Sequence, residues 1–292
     1  MLYDTYGNRP QNERELAGVA GYRGAVPVRV GNAAREQHQI DMYGELVDAV
    51  ARVVRVVGAP DRETGRLLRD FGDYVATRWH LPDSGIWEPR GPLRHHTHSR
   101  VTCWLVFDRL LDLHARGLVT GIDVPRYTGL RDAIRDDVER HAFDPVRGCY
   151  VGELVSAPLP SELDASVLRM SMYGFHDASS PRMQQTYVRL AERLGAGPGL
   201  LYRYEQSLAD HEGAFWICSF WATEHLARGG GSLGDACTMF TDACSYANDV
   251  GLMAEEVEPN SRMQLGNFPQ AYTHVGLISA ALSIQQRLEA RS

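Results

Sequence analysis

From residue 44 onward the chain reads as a succession of helical apolar patterns, and strand-like alternation is nearly absent. The periodicity predicts helices over 44–58, 60–80, 98–116, 124–142, 161–177, 181–194, 212–228, 232–247 and 269–288. Local punctuation agrees: Pro60 followed by Asp61, and Ser180 before Pro181, are start signals, while Gly58, Gly117 and Gly195 are stop signals. Two kinds of helix alternate. Helix 98–116, with VTCWLVF, and helix 212–228, with AFWICSFW, are apolar around most of their circumference and should be buried on several sides. Helices 124–142, with LRDAIRDDVER, and 232–247 carry a narrower apolar stripe and a polar face. Buried and half-exposed helices in succession predict an all-α fold of two concentric rings, with 98–116, 161–177 and 212–228 in the inner layer and Trp104, Phe215 and Trp221 in its core.

In a ring of alternately up and down helices, every loop from an outer helix to the next inner one opens on the same rim. Those loops are 81–97, 143–160, 195–211 and 248–268, together with the opening segment 20–43. They are the longest connections, and long connections in a compact fold more often carry function than short ones. The short turns, 58–60 and 117–123, fall on the opposite rim. A site is therefore expected where the long loops meet. Residues 1–43, broken by Gly7, Pro10, Gly18, Gly21, Gly24, Pro27 and Gly31, form the loop-rich lead into a single toroidal domain over 1–292 rather than a domain of their own.

Composition narrows the partner. The net charge of -7 comes from 37 acids against 30 bases with no basic patch or acidic tail, which favours a neutral or modestly polar small molecule over nucleic acid or a membrane. No lysine occurs, so Schiff-base and P-loop chemistries are excluded. The five cysteines form no CxxC pair and read as reduced, mostly buried thiols; with no signal sequence in MLYDTYGNRPQNE and no apolar run of eighteen residues, a cytoplasmic protein is expected.

On the long-loop rim, Glu88 in GIWEPRG follows Trp87, and a carboxylic acid packed against an indole has a physical reason to keep its proton, as a general acid must. Glu255, Glu256 and Glu258 lie about 170 residues on, in GLMAEEVEPNSRMQLGNFPQAYTHVG. Two carboxyl groups facing each other across a pocket is the arrangement of glycoside hydrolysis. Trp87, Tyr202, Tyr204 and Tyr272 could stack on a sugar ring, and Arg29, Arg90 and Arg203 could hold its hydroxyls. His95, His96 and His98 invite a metal reading, but they straddle a loop-to-helix junction and no HExxH occurs, so His98 or His274 is expected to bond a carboxylate or a substrate hydroxyl.

Five stretches together resemble glycoside hydrolase family fifteen, the glucoamylases and family-fifteen trehalases: GYRGAVPVRVGNAAREQHQIDMYGELVDA, DSGIWEPRGPLRHHTHSRVTCWLVFDR, SELDASVLRMSMYGF, HEGAFWICSFWATEHLARGG and GLMAEEVEPNSRMQLGNFPQAYTHVGLISAAL. They run in family order across nearly the whole chain. The resemblance implies a twelve-helix (α/α)6 barrel, here incomplete, and inverting hydrolysis of α-glucosidic bonds with no metal or organic cofactor. By motif position Glu88 is similar to the family's general acid and Glu255 to its general base, which implies an approach of roughly 6.5 to 9.5 Å. Arg203 falls where the family binds sugar hydroxyls, and Arg29, Trp87 and Tyr272 fall in other substrate-lining stretches.

The departures are specific. Family members of this bacterial type carry a β-sandwich and three further barrel helices before this region, with a Trp-Leu-Arg-Asp motif that holds the terminal glucose; no WLRD occurs here. Pro89 follows the acid, and Glu258 stands in place of the usual aspartate. Three readings stay open: a glycosidase-like hydrolase of altered substrate; an acid/base enzyme acting on a non-sugar intermediate by dehydration, isomerisation or cyclisation, as in secondary metabolism; and a non-catalytic partner protein. Losing ring helices should also bare apolar surface, so the open flank is expected to be covered by residues 1–43, by a second copy in a homodimer or by a partner chain.

Overall fold

The computed structural model describes residues 5–8, 12–154, 161–209 and 212–290; segments 155–160 and 210–211 of the predicted rim loops lie outside the described residues. Helices dominate: α1 Asp41–Val57, α2 Arg62–Ala76, α3 Thr97–Ala115, α4 Val124–His141, α5 Arg169–Tyr173, α6 Pro181–Leu194, α7 Glu205–Ala209, α8 Trp216–His225, α9 Leu233–Cys244 and α10 Ala271–Glu289. Each start has a local cause: Asp61, Asp123 and Ser232 accept a first-turn N–H through their side chains, and Pro125 and Pro181 occupy positions where no N–H is needed. Strands among the described residues are two or three residues long and form small two- and three-stranded pairings rather than a sheet core.

The two kinds of helix separate as their patterns require. Every residue of α8 and the whole of α3 from Thr97 to Phe107 is buried, with Trp104, Phe215 and Trp221 at 3%, 8% and 3% exposure. α3 packs against α1, α2 and α4, and α8 against α9 and α10, so the apolar helices form the inside of an incomplete (α/α)6 barrel. The seams are close. A Cβ built on Gly44 of α1 would stand 2.3 Å from the Thr102 carbonyl oxygen of α3, a backbone atom that cannot swing aside. Gly44→Ala should therefore push α1 off α3 and lower stability by about 1 to 3 kcal/mol, read as a fall in Tm; an unchanged Tm would show that the seam is softer than this contact implies.

One predicted inner helix is not continuous. In place of 161–177 there is a 3-10 turn, Ala165–Leu168, capped by the Asp164 carboxylate, then the five-residue α5 ended by Gly174 in the left-handed region. Residues 212–215 are likewise not helical, because Ala214 and Phe215 pair with Val257 and Glu256 as strand. The π-turn Leu226–Gly230 prolongs α8 beyond the expected end.

The rim loops are stitched to one another in ring order by backbone hydrogen bonds. Ser84 N donates to His38 O, Leu154 N to His95 O, Thr97 N to Gly152 O, Gly152 N to Glu162 O and Ala165 N to Arg203 O, each 2.8 or 2.9 Å. The Phe215–Glu256 pairing closes the series. All five long segments thus share one rim.

The two ends of the ring, α1 and α10, each present an apolar stripe to solvent. Leu46, Val53, Val56 and Val57 on α1, and Val275, Ile278, Leu282 and Leu288 on α10, are between 43% and 86% exposed. The expected cover from residues 1–43 is not found: the described part of that segment lies on the acid-bearing loop, where Arg90 pairs with Glu13 and Gln37 donates to the Glu88 carbonyl. No helix among the described residues is long and apolar enough to cross a membrane.

Candidate active site

The loop between α2 and α3 is anchored at its base by reciprocal backbone bonds between Asp83 and Arg94, both 2.9 Å. The buried Asp83 carboxylate also accepts from Ser99 Oγ and from the Ile40 amide at the start of α1. At the tip Glu88 sits at φ 52, a left-handed conformation that costs a side chain of this kind about 1 to 3 kcal/mol and persists only where its surroundings enforce it. Gln39 supplies part of that enforcement, donating from Nε2 to Glu88 Oε1 at 3.0 Å. Glu88 is exposed, which corrects the expectation that Trp87 would desolvate it. The indole N–H instead donates to Asp164 Oδ2 at 2.8 Å, and burial pushes the Asp164 carboxyl above its ordinary value. Trp87 shields the acid behind it in space, not its neighbour in sequence.

Glu255 is half-buried where the last long loop enters the strand pairing of Glu256 with Phe215. Its carbonyl accepts from the Trp216 amide, and its Oε2 accepts from the Asn267 amide (3.2 Å) and from Asn267 Nδ2 (3.1 Å). Gly266, at φ 72, allows this approach, since a Cβ there would stand 2.8 Å from Glu255 Oε2. Glu256 points to the other side and accepts from Gly213 N–H at 2.9 Å. Burial, reinforced by Glu212 and Glu255 and opposed by Arg203 and the Gly213 amide, raises its carboxyl to about 7. Glu258 belongs to a turn, bonding Asn260 and Ser261, which hold it at about 2.

Aromatic side chains join the two carboxylate-bearing loops. Trp87 lies with ring centroids 5.8 Å from Phe215, 5.8 Å from Trp221 and 6.4 Å from Tyr204, and Tyr272 meets Trp221 edge-on at 6.3 Å. The Arg203 guanidinium covers the Trp87, Tyr204 and Phe215 rings at 5.7, 4.7 and 4.9 Å and is fixed in a two-point pair with Glu212. Trp87 precedes Glu88, and Phe215 pairs with Glu256, so these ring contacts bring the Glu88 loop against the strand that carries Glu256 and follows Glu255.

The family model for glycosyl hydrolases family 15 matches residues 1–282. The chain belongs to that family. A trehalase of Mycobacterium tuberculosis is 33% identical over 289 residues, 97% of this chain and 41% of that protein. Solved structures share the fold: a wild-type glycosidase with TM-score 0.74, 19% identity and coverage of 91% of this chain and 74% of its own, and a bacterial glucoamylase complexed with acarbose, with TM-score 0.67, 14% identity, 85% of this chain and 41% of its own. The chain spans less than half the length of the trehalases it matches.

Within this family 15 chain the other expected residues are dispersed. Arg29 pairs with Glu13 and Glu15, and Arg90 with Glu13, so these guanidiniums clamp the opening segment onto the acid loop. Tyr202 is half-buried beside the 195–201 hairpin. His274 Nδ1 lies 2.7 Å from the Gln270 carbonyl and so carries the proton, leaving a buried Nε2 that accepts from nothing among the described residues. The three loop histidines separate: His95 contacts Arg100, His96 bridges through its backbone to Glu153, and His98 is buried against Tyr173, Asp41 and Glu45. Among the described residues no group of three or more His, Cys, Asp or Glu side chains is placed to hold a metal ion.

Sequence reasoning missed Gln39, Asp164 and Glu212, which position Glu88, Trp87 and Arg203. It also missed an acidic stripe on α1, Asp41, Glu45 and Asp48, turned inward at i, i+4 and i+7 toward His98, Arg169 and Arg109. That spacing was readable: acids on the otherwise apolar face of an amphipathic helix need buried partners.

Proposed function

We propose that this protein is an inverting glycoside hydrolase for α-linked glucosides. The observation that supports the reading is the contact of the Glu88 loop with the Glu255 loop, through Trp87 on Phe215 and Phe215 paired with Glu256, in a chain of family 15. Glu88, exposed at the tip of its loop and steadied by Gln39, donates a proton to the glycosidic oxygen. Glu255, oriented by both donors of Asn267, takes a proton from a water that attacks the anomeric carbon from the opposite face. A carboxyl separation of roughly 6.5 to 9.5 Å leaves room for that water. Trp87 and Tyr272 give the sugar an apolar face to rest on, and Arg203 offers its remaining N–H groups to hydroxyls. Arg29 and Arg90 act at one remove, through Glu13, by holding the loop that carries the acid.

Trehalose is the first substrate to test, with maltose and p-nitrophenyl α-glucoside beside it. Following the reaction by proton NMR should show β-glucose appearing before mutarotation produces the α-anomer. α-Glucose appearing first would overturn the inverting assignment, and no turnover of any α-glucoside would overturn the substrate class.

A further inference from the structure

Inside the ring, beneath the aromatic wall, lies a charged pair that the acid/base chemistry does not use. Arg169, at the start of α5, donates from Nη2 to both oxygens of Glu45 at 2.7 and 2.9 Å, and from Nε to the Tyr173 hydroxyl at 2.5 Å. Its guanidinium stacks between the rings of Tyr173 (4.8 Å) and Trp221 (5.0 Å), and Trp221 is the ring that meets both Trp87 and Tyr272. Tyr173 and His98 complete the surround on Glu45, which Tyr173 also bonds through its hydroxyl.

Two features separate this from an ordinary structural ion pair. Nη1 of Arg169 makes no hydrogen bond among the described residues and keeps contact with solvent, so it is an open donor. The Glu45 side chain keeps 38% of its surface, while Arg169 keeps 14% and His98 2%. The pair therefore offers an unused donor and an accessible carboxylate side by side, next to Tyr272, which is 42% exposed. Burial alone would raise the Glu45 carboxyl, but Arg169, His98 and Tyr173 outweigh it and hold the group at about 2, so it stays an acceptor at every working pH. A fixed planar donor beside a carboxylate, with an aromatic face above, is the chemistry that recognises two adjacent hydroxyls on a sugar ring.

We propose that Glu45 and Arg169 form a hydroxyl-reading element of the same site, taking a vicinal diol of the bound sugar whose face rests on the exposed Tyr272, with the buried Trp221 ring holding the guanidinium from behind. This inference rests on the glycosidase reading above.

The test titrates tryptophan fluorescence of the full chain with glucose and with its 2-, 3-, 4- and 6-deoxy analogues. In the wild type, two neighbouring deoxy positions should weaken binding by about 5- to 100-fold, because they strand the charged pair without its partner. In Glu45→Gln and in Arg169→Lys the same two analogues should bind nearly as well as glucose, while trehalose cleavage shows a raised KM and a smaller change in kcat. A merely structural pair would not tie the loss to particular hydroxyls. Should Arg169→Lys fail to fold, Glu45→Gln decides alone, since its amide oxygen still accepts from Arg169. If the wild type binds glucose and cleaves trehalose but Glu45→Gln discriminates the deoxy analogues as the wild type does, this inference falls and the glycosidase reading stands. If the wild type neither binds glucose nor cleaves an α-glucoside, both fall together.

Discussion

Glu88→Gln and Glu255→Gln should each reduce turnover of the true substrate by about 10²- to 10⁴-fold while leaving the Tm close to that of the wild type. Both side chains are at least partly exposed, and glutamine keeps their shape and one acceptor oxygen, so Gln39 and Asn267 retain partners. Glu88 permits a sharper version of the experiment. Its φ of 52 is a conformation that glycine adopts without strain, so Glu88→Gly should lose turnover yet gain stability by about 1 kcal/mol. A residue placed only for loop structure would not show that opposition. If Glu88→Gly were less stable than the wild type, or if either glutamine variant turned over substrate at the wild-type rate, the assignment of that residue would be wrong.

The fold could be read in the sequence wherever a helix meets the core on several sides. The runs VTCWLVF and AFWICSFW have no polar face to give to solvent, and the structure buries them accordingly. The shared rim also followed from alternation alone, because it depends on helix order rather than on contacts. The stretch 161–177 was misread because helical periodicity does not register the Asp164 cap and the Gly174 stop that divide it. Phe215 was misplaced in a helix because its strand partner, Glu256, is 41 residues away and no local pattern announces such a pairing. For the site, residue types in loops indicated which groups converge but not who solvates whom. Trp87 and Glu88 are neighbours in sequence, yet at the tip of a tight loop their side chains diverge, and the indole went to Asp164. Arg29 and Arg90 were expected to hold sugar hydroxyls, but Glu13, in a segment with weak periodicity, pairs with both. The apolar stripes on α1 and α10 were foreseeable, since a helix at the end of an open ring keeps the pattern of one packed on both sides.

The second large effect concerns Glu256, which the strand pairing sets against Phe215 beside Glu212, Arg203 and Glu255. Its carboxyl titrates at about 7 in the folded chain against an ordinary 4.5, chiefly through burial. The folded state therefore binds a proton that the unfolded state has already released between those two values, and stability must fall as pH rises through that window. The contribution is complete below pH 4.5, is lost progressively up to about pH 7 and changes no further above it. A shift of this size corresponds to at most about 3 kcal/mol, which residual solvent contact reduces to about 1 to 2. Glu256→Gln stays neutral throughout and its side chain can still accept from the Gly213 amide, so the variant should match the wild type near pH 4.5 and exceed it in Tm at pH 7.5. The difference between the two melting curves, taken every half unit from pH 4.5 to 8, isolates this one titration from every other group in the protein. Parallel curves across that range would mean that Glu256 is ionised at neutral pH and would overturn its raised carboxyl.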